Sequence, residues 1–291
     1  MKEKIASPAR TREILRQYDF IFQKKYGQNF LIDLHVLNKI IKAAELSSSD
    51  CVIEVGPGIG SLTQALAEKA GQVIAVEIDK QLIPILQETL RGYDNIHIMN
   101  QDILKVDMEE LLAKRLPSSK VKVVANLPYY ITTPIIMGLL EKRLPLEHIT
   151  VMVQKEVADR MKAVPGTKDY GALSVAVQYY SEPYLVANVP VNCFIPRPKV
   201  GSAVIQLRIL KEPRIHVKDE VFFFHVVRAA FAQRRKTLVN TLYNYSQQEF
   251  VFSKEDIVSC LKEMGLNEKV RGETLSIEKL GQLSDLLYSI K

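Results

Sequence analysis

The sequence predicts an α/β protein: a mostly parallel sheet of Rossmann-like type covered by helices on both faces, followed by a small all-α domain. Three observations carry that prediction. Short apolar runs alternate with segments of helical periodicity from Cys51 to Gln154, the pattern of repeated strand-helix-strand units. Four of these runs stop at Gly56, Glu77, Asp102 and Asn126, where a parallel sheet presents its strand ends to a ligand. After Pro213 the apolar spacing is wholly helical. The expected boundaries within the 291 residues are a basic helical extension over 1–28, a sheet domain over 29–212 and a helical domain over 213–291.

At the N-terminus, Ile14, Leu15, Tyr18, Ile21 and Phe22 recur at helical spacing, so residues 8–22 are expected to form a helix. KKYGQNFL, Lys24 to Leu31, suits either a strap across a ligand site or a plain connector, and leads into a helix through Leu34, Leu37, Ile40 and Ile41. CVIEV, Cys51 to Val55, reads as the first strand of the sheet. Gly56, Gly58 and Gly60 then allow a ligand close to the backbone, although a dinucleotide enzyme would place its third glycine one residue later. A helix from Ser61 to Lys69, a strand from Gln72 to Val76, a helix from Leu82 to Leu90 and a strand from Ile96 to Asn100 continue the alternation. Glu77 closes the second strand 21 residues after Gly56, where a carboxylate can take both hydroxyls of a ribose; a solvent-exposed Glu is the duller reading. Asp102 could accept from the exocyclic amine of an adenine sandwiched by Ile78 and Ile103, or could simply cap the short helix that follows.

The fourth strand, Val121 to Ala125, stops abruptly at Asn126-Leu127-Pro128-Tyr129. Asn126 offers a carboxamide oxygen, Pro128 can continue neither ladder nor helix, and Tyr129 presents a flat face. These suit a planar base with an exocyclic amine. The lone pair of such an amine is delocalised into the ring. The Asn126 oxygen and the Leu127 carbonyl could hold its two N–H bonds and turn the lone pair toward an electrophile, while Tyr129 stacks on the ring. A strand-to-loop turn with a half-buried tyrosine would read the same.

A helix over Pro134 to Arg143 and a fifth strand, Ile149 to Gln154, complete the alternating unit. LVANVPVNCF, Leu185 to Phe194, is β-like, and prolines bracket Phe194; a structural aromatic satisfies that pattern as well as a functional one. Gly201 to Leu210 alternates as a further strand. Helices are expected over Val221 to Leu242, Lys254 to Met264 and Ile277 to Ile290.

The formal net charge is +6, and its placement matters more than its total. Residues 1–28 hold seven Lys or Arg against three acids and residues 194–236 ten against three, while the rest of the chain is net acidic. Converging, these segments would make a phosphate-binding face; separately, they are solvated surfaces. Cys51, Cys193 and Cys260 lie far apart without metal spacing, so neither a disulfide framework nor a metal site is expected. The start of the chain lacks a signal-peptide core and no apolar run has the length of a membrane span, so a cytoplasmic protein is expected.

KYGQNFL, EVGPGIG, VEID, NLPY, CFIPRPKV (Cys193 to Val200) and FAQRRKTL (Phe231 to Leu238), in that order over nearly the whole chain, resemble the ribosomal RNA adenine N6,N6-dimethyltransferases. Within that family they are most similar to the KsgA/RsmA branch, which modifies two adjacent adenosines near the 3′ end of small-subunit rRNA. The resemblance implies a class I methyltransferase that uses S-adenosyl-L-methionine and acts on 16S rRNA in a small ribosomal subunit or its precursor; a monomer is expected. It implies cofactor contacts from Asn29, Leu31, Gly56, Gly58, Glu77, Ile78, Asp102, Ile103 and Asn126. Asn126, Leu127, Pro128 and Tyr129 would hold the target adenine, with Phe194 packing on the base opposite Tyr129. Arg228, Arg234, Arg235 and Lys236 would meet rRNA phosphates. A large-subunit rRNA methyltransferase conferring drug resistance and a noncatalytic ribosome assembly factor are the other readings.

Overall fold

The computed structural model describes residues 4–115, 120–249 and 252–291; residues 1–3 of the expected extension and the Lys24 side chain lie outside that description. The chain forms two compact units, one of residues 1–158 and 183–209, the other of residues 159–182 and 210–291.

The first unit opens with α1 (Pro8–Gln17), capped by Ser7, whose hydroxyl accepts from Arg10 N. The helix is shorter than its apolar spacing predicts. Asp19 adopts a left-handed φ of 44°, ending it, and Phe20 and Phe22 continue as non-helical chain to pack on Phe30 at ring separations of 5.8 and 5.5 Å. The aromatic cluster recruits residues whose spacing alone suits a helix face.

Next come β1 (Phe30–Leu31), α2 (Leu34–Ala43), β2 (Cys51–Val55), α3 (Ser61–Ala67), β3 (Gln72–Glu77), α4 (Leu82–Thr89) and β4 (Ile96–Asn100). They are followed by α5 (Met108–Arg115), β5 (Val121–Asn126), α6 (Thr132–Glu141), β6 (Leu146–Gln154) and α7 (Lys155–Met161). After α8 (Ala172–Tyr180), the chain forms β7 (Ser181–Val189), β8 (Phe194–Ile195) and β9 (Ser202–Ile209). Seven strands lie in the order β4-β3-β2-β5-β6-β9-β7. The pairs among β4, β3, β2, β5 and β6 are parallel, whereas β9 runs antiparallel to β6.

From β2 the chain steps outward to β3 and β4, then returns to place β5 on the other side of β2. That reversal leaves a crevice beyond the carboxyl ends of β2 and β5, the usual ligand position in such sheets. β2 and β5 are buried over all but the last residue of β5, as central parallel strands must be. Lys122, the second residue of β5, is 4% exposed yet satisfied: its ammonium lies 3.0 Å from Asp50 Oδ2 and 2.6 Å from the Glu45 carbonyl. A separate two-stranded ribbon pairs β1 with β8, setting Leu31 opposite Phe194.

The second unit contains α9 (Glu220–Phe231), α10 (Leu238–Glu249), α11 (Lys254–Glu263) and α12 (Ile277–Ser289), together with α8. Two expectations are corrected here. The single helix expected over 221–242 is two helices, because residues 232–237 form a turn in which Lys236 N donates to the Gln233 carbonyl. Residues 159–182, expected in the first domain, belong to the helical unit. Tyr170 is fully buried there and donates to the Leu275 carbonyl at 3.0 Å, while Tyr179 and Tyr180 donate to the Glu220 carboxylate at 3.1 and 2.6 Å.

Candidate active site

A cleft occupies the crevice at the carboxyl ends of the sheet. It is lined by Asn29, Leu31, Gly56, Gly58, Glu77, Ile78, Asp102, Ile103, Asn126, Leu127, Pro128 and Tyr129. All the residues expected to meet a cofactor thus converge, as do four of the five expected to hold a base. Each arrives by the same route, at the end of a strand or on the segment crossing it.

The glycine turn after β2 is closely fitted. Gly58 has φ +62°, and a β-carbon there would lie 2.9 Å from the Phe30 ring, so both backbone and space demand glycine. Its amide donates to Glu77 Oε2 at 3.2 Å, and Asp79 N donates to Glu77 Oε1 at 2.8 Å. Glu77 is 4% exposed, and burial pushes its carboxyl up to about 7 although those two amides favour the charged form. Asp102 lines the cleft, and its Oδ1 accepts from Leu104 N at 3.0 Å to cap a short turn.

The KKYGQNFL segment crosses the cleft as a strap and is tied at two points. Gln28 accepts from Gln23 N at 2.9 Å and donates to Asp79 Oδ2 at 2.6 Å, and the Asn29 carbonyl accepts from Asn126 Nδ2 at 2.9 Å. The second tie orients the Asn126 carboxamide. With its nitrogen engaged, the oxygen accepts no hydrogen bond among the described residues. The Leu127 carbonyl likewise accepts none, whereas the Leu127 amide donates to the Met152 carbonyl at 3.0 Å. Two uncommitted acceptors therefore stand side by side at the end of β5, next to the half-buried Tyr129 ring.

Phe194 is not with them. Its side chain is 1% exposed in a core cluster that includes Leu31, Val36 and Leu37, and it does not line the cleft. The β1–β8 pairing holds it there, assisted by the Cys193 thiol against Asp33 Oδ2 at 3.4 Å. The expected packing on a base opposite Tyr129 is absent from this arrangement.

Among the cations of the helical unit, Arg228, Arg235 and Lys236 are exposed. Arg234 is otherwise committed. Its guanidinium donates to Glu273 Oε2 at 3.1 and 2.9 Å, to the Thr167 carbonyl at 3.4 Å and to the Lys168 carbonyl. It clamps two loops of its own unit instead of presenting its donors to a phosphate.

Sequence reasoning missed Glu54. This residue of β2 lines the cleft, is 1% exposed and leaves Oε2 without a hydrogen-bond partner; Ser61 Oγ, also on the cleft, is likewise orphaned. Burial raises the Glu54 carboxyl to about 8; the neighbouring Thr63 hydroxyl, outside hydrogen-bond geometry, offsets this only in part, and Glu77 adds repulsion. A glutamate inside an otherwise apolar strand was the available signal. Two orphaned buried oxygens beside a carboxylate fit an elongated ligand bearing hydroxyl and amino donors.

A family model described as ribosomal RNA adenine dimethylase matches residues 20–282. The chain is 57% identical over 284 residues to a ribosomal RNA small subunit methyltransferase A of Lachnoclostridium phytofermentans, spanning 97% of each. It is 52% identical over 291 residues to the protein of that name from a Geobacillus species, spanning 100% of each. Among solved structures, a dimethyladenosine transferase from Plasmodium falciparum superposes with a TM-score of 0.73 at 28% identity, over 87% of this chain and 95% of that one. The 23S rRNA methyltransferase ErmE superposes with a TM-score of 0.66 at 28% identity, over 89% of this chain and 100% of that one.

Proposed function

The chain belongs to the ribosomal RNA adenine dimethylase family, and from that premise we propose that it dimethylates N6 of two adjacent adenosines near the 3′ end of 16S rRNA in the small ribosomal subunit. The methyl donor in this reading is S-adenosyl-L-methionine, and the reaction is a cytoplasmic step of ribosome biogenesis. Identities of 57% and 52% to proteins named for the small subunit, against 28% to the 23S enzyme, favour the small-subunit target. Retention of both acceptors at the end of β5 argues against a noncatalytic assembly factor.

The observation that carries the reading is the pair of uncommitted acceptors, Asn126 Oδ1 and the Leu127 carbonyl, beside the Tyr129 ring. They take the two N–H bonds of the adenine amine, and that geometry draws the nitrogen lone pair out of the ring. Tyr129 holds the base by stacking, and Pro128 keeps the chain from continuing into ladder or helix. The amine proton leaves after the new bond forms, so positioning supplies most of the acceleration.

S-adenosylmethionine supplies an electrophilic methyl on a cationic sulfur. Of the residues that would hold it, Glu77 takes the ribose hydroxyls, Asp102 the adenine amine, and Ile78 and Ile103 the ring faces. Gly56 and Gly58 permit close approach, Asn29 and Leu31 cover it from the strap, and the orphaned Glu54 oxygen suits its ammonium end. In the helical unit, which this reading makes the RNA-binding part, Arg228, Arg235 and Lys236 contact phosphates.

The test is to incubate the protein with labelled S-adenosylmethionine and small subunits lacking adenine methylation, and to map the modified nucleotides by mass spectrometry. Dimethyladenosine at two adjacent sites near the 3′ end is expected. Label confined to large-subunit rRNA, or binding without label, contradicts the proposal.

A further inference from the structure

Tyr129, in the turn after β5, and Ser202, the first residue of β9, come from parts of the sheet that are not neighbours. β6 lies between β5 and β9, and the Tyr129 side chain follows the end of β5 while Ser202 begins β9 opposite Gln154 of β6. Even so, their hydroxyls meet at 2.6 Å, across the end of the intervening strand. Ser202 is 1% exposed, and its place in the ladder with β6 fixes the backbone that carries the hydroxyl. Burial raises the Tyr129 phenol above its ordinary range, so the ring carries an intact O–H for this bond. No other hydrogen bond to the phenol is found among the described residues.

We propose that Ser202 is a positioning residue for methyl transfer: it tethers the far end of the Tyr129 ring and so fixes the plane on which the target base stacks. The inference rests on the reading that Tyr129 stacks on the substrate adenine. A tyrosine side chain turns about two bonds; anchored only at its α-carbon, it can swing out of line with the two acceptors on Asn126 and Leu127. Anchored at both ends, it has one orientation. The lone pair of the amine must point at the methyl group within a narrow cone, and small displacements of a bound reactant are costly in rate. The tether thereby acts on kcat. It leaves the cofactor residues Glu77 and Asp102, which lie on the other side of the sheet's switch point, unaffected.

The experiment is a double-mutant cycle on the full chain, with small subunits lacking adenine methylation as substrate. Ser202→Ala and Tyr129→Phe each remove one half of the tether and keep the ring. Each is expected to lower kcat about tenfold, with cofactor Kd and the KM for subunits changed less than about twofold. The double variant is expected to be no slower than either single one, because a bond can be lost only once. Multiplied losses in the double variant would show Ser202 acting on the strand instead of on the phenol, and overturn the proposal. So would wild-type kcat in Tyr129→Phe, which tests the tether even if Ser202→Ala folds poorly. Tyr129→Ala separates the two layers: with turnover lost, the stacking reading stands and the cycle judges the tether; with normal turnover, reading and tether fall together.

Discussion

The cleft at the sheet and the basic turn of the helical unit carry the two richest motifs of the chain, and the structure treats them in opposite ways. In the cleft, motif residues keep acceptors in reserve: Asn126 spends its nitrogen on the Asn29 carbonyl and leaves its oxygen open, and Glu54 is buried with an oxygen unpaired. In the turn between α9 and α10, Arg234 spends its donors on Glu273 and on the 167–168 carbonyls, while Arg235 and Lys236 project to solvent. A buried group without a partner costs stability and persists where a ligand completes it; a satisfied surface arginine is part of the scaffold. On the proposed function, the state of hydrogen bonding would separate working residues from supporting ones better than membership of a motif does.

The sharpest way to break this comparison is at the end of β5. Asn126→Ala and Tyr129→Ala are expected to reduce methyl transfer by about 10²-fold or more, comparable to removing one preorganised polar contact from a reacting centre, while cofactor binding stays measurable. Equilibrium dialysis with labelled cofactor, alongside single-turnover kinetics, reads the two separately.

Gly58→Ala probes the cofactor side. The left-handed backbone and the Phe30 ring 2.9 Å from the new methyl should destabilise the protein by about 1–3 kcal/mol and weaken cofactor binding at least about tenfold. Thermal unfolding with and without cofactor measures both.

In the helical unit the comparison predicts a split. Arg234→Ala should lower Tm by a few degrees through loss of the loop clamp, in keeping with about 1–2 kcal/mol for charge-assisted hydrogen bonds at a part-exposed site. Arg235→Ala and Lys236→Ala should leave Tm alone, weaken subunit binding a few-fold and each reduce the salt slope by about one. If Arg234→Ala instead lowers RNA affinity with no change in Tm, the distinction between working and supporting arginines fails.

The smallest effect sought is a pH dependence. Burial raises the Glu54 carboxyl to about 8 and Glu77 to about 7, both above their unfolded value near 4.5. Between those values the folded state holds protons that the unfolded state has released, so stability without cofactor falls as pH rises from about 4.5 toward 8. Glu54→Gln should therefore raise Tm at pH 8.5 and leave it nearly unchanged at pH 4. Cofactor affinity should run the other way, weakening as pH falls through about 7, because a protonated Glu77 loses acceptor strength for hydroxyl donors. Titration calorimetry between pH 6 and 8.5 checks that sign.

Much of the cleft was legible because a parallel sheet converts sequence order into spatial order. Gly56, Glu77, Asp102 and Asn126 each lie at or just past the carboxyl end of a parallel strand, so they must arrive on one edge. What escaped depends on contacts between residues distant in sequence. Phe194 reads as a loop aromatic, but its pairing with Leu31 turns it into the core. Residues 159–182 carry their own helix, and long-range bonds, such as those from Tyr170 to the Leu275 carbonyl, 105 residues away, and from Tyr180 to Glu220, assign them to the helical unit. The apolar faces of 8–22 and 221–242 suggested unbroken helices; Asp19 ends the first, and a turn of long polar residues before Thr237 divides the second. Ser202 has no local signal at all, being one small residue in an alternating strand.

The most direct test of the central claim, that the uncommitted acceptors at the end of β5 perform the chemistry, is the single-turnover rate of Asn126→Ala on unmethylated small subunits at saturating cofactor. Loss of the Asn29 tie should weaken cofactor binding by no more than about tenfold, which saturation hides. The account predicts a rate at least about 10²-fold below that of the unaltered chain under those conditions. A rate within a few-fold of it, with dimethyladenosine still formed at both sites, would contradict the account.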